Sequence, residues 1–126
     1  MFAKDKMIKV ISEDGMLDGC KVSDRSCLIN SLFDKIPADQ LLKVRDYIID
    51  ENVLEILQDD DLMNCVENFF NNNLNISETS RNAFLHRNTL IYRIDKIHKA
   101  TGFNIKNFND AVNFKLLLLI YNKFYK

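Results

Sequence analysis

The sequence predicts a mainly α protein: a helical bundle containing a helix-turn-helix, with a short irregular or β-containing N-terminal segment. Three observations lead there. Gly (3 residues) and Pro (1) are too few for the many tight turns of a β-sandwich. Apolar residues recur at spacings of three and four, as in Leu62, Cys65, Val66 and Phe69. Helix-start and helix-stop chemistry separates those runs, with Asp59-Asp60-Asp61 before one and Gly102 after another. The length, 126 residues, fits one domain or one domain plus a fragment.

Residues 1–22 are the least regular. MIKVI reads as a short strand, SEDG as turn chemistry with Gly15 free to take a positive φ, and LDGCKV as a returning strand. Ser23 or Asp24 caps a helix to about Lys35, with Leu28, Leu32 and Ile36 on one stripe. Pro37 suits the first turn of the next helix, whose stripe is Leu41, Val44, Ile48 and Ile49. NVLEIL continues it after a break near Asp50. Carboxylates at 59–61 favour the positive end of the following helix dipole. As a metal site they lack the Gly turn and distal Glu of a calcium loop.

NNNLN ends that helix, because Asn tolerates the left-handed conformation. Asn75 with Glu78 three residues later is a capping-box pattern that opens a short helix from about Ile76 to Phe84. A longer, basic helix starts at His86 or Arg87 and reaches about Ala100, where Gly102 stops it. Two helices in that order form a helix-turn-helix shape. Asn109 or Asp110 caps the last helix, whose apolar residues from Ala111 to Ile120 almost surround it and demand burial on more than one side.

The net charge of −1 hides a polarised chain. Residues 1–74 hold 8 Lys+Arg and 15 Asp+Glu, a net of −7; residues 75–126 hold 9 and 3, a net of +6. Only the C-terminal part suits a polyanion. No apolar run approaches the roughly 18 residues of a membrane span, and the start lacks a signal-peptide core. The expectation is a cytoplasmic protein with free thiols at Cys20, Cys27 and Cys65, the last a small core residue. His86 and His98 are not spaced as metal ligands, and no nucleophile or Gly-rich pocket accompanies them. Neither enzyme activity, cofactor nor metal is expected.

Turned at 100° per residue, the 87–100 helix puts Leu90, Ile94, Ile97 and Thr101 on one side. Asn88, Thr89, Tyr92, Lys96 and Lys99 fall on the other, with Arg93 at the boundary. Amide, hydroxyl, phenol and ammonium groups read base edges or hold phosphates, and a recognition helix enters the major groove by its N-terminal end. The candidate DNA-binding residues are therefore Arg81, His86, Arg87, Asn88, Thr89, Tyr92, Arg93, Lys96 and Lys99. Asn88, Thr89 and Tyr92 meet bases or backbone near the N-terminal end. Arg87, Arg93, Lys96 and Lys99 hold phosphates, with Arg87 also a base reader, and Arg81 reaches a neighbouring phosphate. His86 is alternatively a helix-entry residue with a hydrogen bond. The alternative for Arg93 is a core-edge position paired to Glu78.

The stretch from Asn75 to Phe114 resembles the C-terminal helix-turn-helix of the PucR and sugar-diacid-regulator (CdaR) family of bacterial transcription factors. Thr79-Ser80, His86 through Leu90, Tyr92-Arg93, Lys96-Ile97, Thr101-Gly102 and Asn107-Phe108 with Asp110 carry the likeness, which extends from Leu62 to the end. Ser80 stands where that family usually has Ala. Ala83 stands where it usually has Leu, a truncation worth about 2–5 kcal/mol unless Phe84 or Leu85 refills the space. The resemblance implies a DNA-binding domain at 58–126. It makes residues 1–57 the exit of a preceding regulatory domain plus a connecting helix, since KVSDRSCLINSLFDKIP is similar to that exit. The chain then reads as a C-terminal fragment or stand-alone remnant with no small-molecule effector, binding double-stranded DNA as a homodimer. The competing expectation is a helical protein–protein module without DNA binding.

Overall fold

The structure, a computed structural model, describes residues 7–11, 17–21 and 27–125. The chain divides into two compact units, residues Met1–Leu42 and Lys43–Lys126. In the first, β1 (Met7–Ile11) pairs antiparallel with β2 (Leu17–Lys21), from Met7 opposite Lys21 to Ile11 opposite Leu17. The expected SEDG turn and the Ser23 or Asp24 cap lie outside the described residues. α1 spans Cys27–Asp34, and its Leu28 and Leu32 are exposed. α2 spans Ala38–Ile48; the Pro37 carbonyl accepts from the Gln40 and Leu41 N–H groups, so the proline sits just ahead of the first helical turn.

Five helices fill the second unit, and local chemistry sets most of their ends. α3 (Glu51–Leu57) starts at Asp50, whose side chain accepts from the Val53 N–H at 2.8 Å. α4 (Asp60–Asn71) starts at Asp59, which accepts from Asp61 and Leu62 N–H groups at 3.1 and 3.2 Å. The aspartate triplet is thus a cap and a first turn. α5 (Ile76–Asn82) starts at Asn75, which accepts from Glu78 N–H at 2.9 Å; the Asn75 N–H donates to the Asn72 carbonyl. α6 spans Arg87–Thr101 and α7 Phe108–Tyr125.

The α4 terminus is a Schellman motif. Leu74 N–H donates to the Phe69 carbonyl and Asn73 N–H to the Phe70 carbonyl, with Asn73 and Leu74 left-handed at φ 57° and 61°. Leu74 packs on the core, the hydrophobic contact such a motif carries. The α5 terminus has the outer bond of that pattern. Leu85 N–H donates to the Ser80 carbonyl, and the Ser80 hydroxyl donates back to the Leu85 carbonyl. Phe84 takes the left-handed position at φ 55°, which costs a non-glycine residue about 1–2 kcal/mol. α5 therefore stops at Asn82 rather than at Phe84. Leu85 packs on the core, while Phe84 stands 95% exposed and refills nothing. α6 ends on Gly102 at φ 81°.

Core side chains come from four helices and one loop. Val53, Ile56 and Leu57 of α3 join Leu62, Cys65, Val66 and Phe69 of α4, Leu90, Ile94 and Ile97 of α6, and Phe114, Leu117 and Tyr121 of α7. Ile105, in the α6–α7 connection, is fully buried although no periodic pattern marks it. Phe70 meets the Phe114 ring edge-on at 6.5 Å. The α7 cap corrects the sequence expectation. Asn107 accepts from Asn109 N–H at 3.0 Å, whereas Asp110 accepts from Asn104 N–H at 3.0 Å and folds the connection onto the helix start. α7 buries Ala111, Phe114, Leu117, Ile120 and Tyr121, but Phe108, Val112 and Leu116 remain exposed.

Candidate nucleic-acid interface

α5, the four residues 83–86 and α6 form the helix-turn-helix. α6 is held by its inner face, where Leu90, Ile94 and Ile97 are 0–1% exposed. Burying three such side chains fixes the rotation of the helix about its axis, because any turn would bring apolar surface into water. The opposite face is then presented to solvent by geometry alone.

Its N-terminal end is ordered by two hydrogen bonds. His86 Nδ1 accepts from Asn88 N–H at 3.1 Å, so the helix-entry hydrogen bond expected of this residue is an N-cap. Arg87 Nη1 donates to Ser77 Oγ at 3.1 Å, tying the start of α6 to the first turn of α5. Ser77 has no mark in the sequence that announces this role. Asn88 and Tyr92 are exposed, Tyr92 by 67%, and Thr89 is half-buried. Arg81 is exposed on α5. From Thr79 to Ile94 the chain has three arginines and a histidine and no carboxylate.

Arg93 lies elsewhere. It is half-buried with its guanidinium against Cys65 instead of in an ion pair with Glu78. Burial pushes the Cys65 thiol above its usual range, and the Arg93 charge and hydrogen bond act in the opposite direction. Lys96 and Lys99 are exposed, but they form one wall of an open hollow of about 380 Å³ with Ala100. Asn52, Glu55, Ile56 and Asp59 form the other wall. Two carboxylates thus share the surroundings of the two lysines. At 1.5 Å rise per residue, Lys99 stands about 16 Å along the axis from Asn88, so the two ends of the polar face address different stretches of any linear ligand. The structure brings His86, Arg87, Asn88 and Tyr92 together at one end, with Arg81 close by in the chain; Lys96 and Lys99 make a second group, lining a hollow shared with Glu55 and Asp59.

Among the described residues no cluster of three His, Cys, Asp or Glu could hold a metal ion, and no helix is long and apolar enough to cross a membrane.

Comparison with known proteins agrees on the C-terminal part. Residues 62–120 match the family described as the PucR C-terminal helix-turn-helix domain. The purine catabolism regulatory protein of Bacillus subtilis (strain 168) is 24% identical over 90 residues, 71% of this chain and 17% of that protein. The carbohydrate diacid regulator of Escherichia coli (strain K12) is 41% identical over 44 residues, 35% of this chain and 11% of that protein. An uncharacterized Bacillus subtilis protein, YxkF, is 33% identical over 70 residues, 56% of this chain and 24% of its own length. The chain therefore spans at most about a quarter of these relatives. No solved structure matches significantly.

Proposed function

Given that the chain carries, over residues 62–120, a member of the PucR C-terminal helix-turn-helix family, we propose that it is a DNA-binding part of a transcriptional regulator and reads duplex DNA through α6. The observation that carries this reading is the single orientation of α6. Leu90, Ile94 and Ile97 are locked inward, so Asn88 and Tyr92 stand outward beside a basic, carboxylate-free helix start. Asn88, Thr89 and Tyr92 address base edges, and Arg87, released from Ser77, takes a guanine edge or a phosphate. His86 orders the helix start next to the sugar–phosphate backbone, and Arg81 takes a flanking phosphate. Lys96 and Lys99 hold phosphates more weakly, because Glu55 and Asp59 stand beside them. Arg93 acts from behind, holding α6 against α4 at Cys65. The DNA-binding domain is residues 58–126, braced by α3.

A lone helix-turn-helix covers few base pairs, and a two-fold pair of them doubles the contact. The exposed Phe108, Val112 and Leu116 on α7 favour a homodimer through that helix. The same stripe also favours the second reading, a helical protein–protein module without DNA binding. Selection of bound sequences from a randomised duplex pool, with anisotropy titrations at two salt concentrations, separates them. DNA reading requires an enriched motif and affinity that falls steeply with salt; a protein module gives neither. Leu116→Glu should convert a dimer to a monomer in sedimentation without unfolding it, and should lower affinity for a paired site more than for a half-site.

A further inference from the structure

Three helices of the second unit end on a left-handed residue: α4 at Asn73, α5 at Phe84 and α6 at Gly102. Asn and Gly are the residues such a position favours. Phe84 is not, and its ring gains nothing from the fold, being 95% exposed. Stability alone therefore selects against phenylalanine at this corner. Phe84 lies two residues ahead of the His86 cap, three residues along the chain from each of the exposed Arg81 and Arg87, just before the Asn88 end of α6. Tyr92 is the other exposed aromatic of this carboxylate-free stretch.

We propose that Phe84 is an apolar specificity contact to DNA: its ring, held out by the left-handed corner, packs against a thymine methyl at the edge of the site read by α6. Phenylalanine against the thymine methyl is an established mode of apolar readout. The inference rests on the DNA-reading function above. The corner aims the ring, because Ser80 and Leu85 bond to each other on both sides of it. An apolar contact releases no counterion, so it changes affinity without changing salt dependence, unlike any of the arginines.

The test uses the full chain and the duplex it enriches from a randomised pool. Phe84→Gly is the informative variant, since glycine takes the positive φ freely and should melt no lower than the wild type. Phe84→Ala is its companion. Both should bind the enriched duplex about tenfold more weakly. Their salt slope and their affinity for a random duplex should match the wild type. Replacing one thymine of the site by uracil should weaken the wild type and leave Phe84→Gly indifferent. Undiminished affinity of Phe84→Gly, in a protein that still enriches a motif, overturns this contact and leaves the DNA reading standing. A Phe84→Gly protein that loses affinity but stays equally sensitive to every thymine-to-uracil change also overturns it, since the ring then meets no thymine methyl. If the wild type enriches no motif, the DNA reading itself fails and Phe84 falls with it.

Discussion

α6 and α7 are the two longest helices of the molecule, and each buries one face in the same core. They differ in what the other face carries. Behind Leu90, Ile94 and Ile97, α6 presents Asn88, Tyr92, Lys96 and Lys99; behind Phe114, Leu117 and Tyr121, α7 presents Phe108, Val112 and Leu116. A polar outer face is free to exchange water for a hydrated, charged ligand. An apolar outer face gains only by meeting another apolar surface. One fold therefore offers a polar outer face on α6 and, on α7, an apolar stripe set among exposed Asn109, Asn113 and Lys115, the first suited to nucleic acid and the second to another protein surface.

The largest effect that should blur the distinction is loss of the shared core. Phe114→Ala removes a fully buried ring that meets Phe70 and should cost about 3–5 kcal/mol. Thermal melting should show it, and both outward faces should fail together. Arg87→Ala tests the α6 face alone. It should cost about 1–3 kcal/mol of specific DNA affinity and reduce the salt slope by about one, with melting nearly unchanged. Equal affinity and selectivity after that change would remove Arg87 from the interface. The smallest effect sharpens the contrast within α6. Glu55→Gln takes one carboxylate from beside Lys96 and Lys99, and DNA binding should tighten about two- to fivefold at low salt, fading as salt is added. A variant that binds no better would show that the C-terminal half of α6 does not approach phosphate.

Much of this architecture is legible in the sequence because its determinants are local. Asp59, Asn75, His86 and Gly102 each act on backbone groups within four residues, so helix ends follow from composition and spacing. The inward face of α6 follows from periodicity. The α7 cap is not legible in the sequence, because Asn107, Asn109 and Asp110 all suit a cap and only the bond from Asn104 N–H to Asp110 engages that carboxylate elsewhere. Ile105 was invisible because a lone apolar residue in a connection has no period.

The sequence by itself determined where α4, α5 and α6 start and where α6 stops, that α6 is amphipathic, and that the basic charge is C-terminal. Those properties depend on neighbours in the chain. Only the tertiary structure decided that Arg93 faces Cys65, that Lys96 and Lys99 share a hollow with Glu55 and Asp59, that Phe84 stands outside while Leu85 packs, and which side of α7 is covered. Each of these is a choice among faces that look equivalent along the helix. The choice is made by side chains far away in sequence, whose packing leaves room for one arrangement.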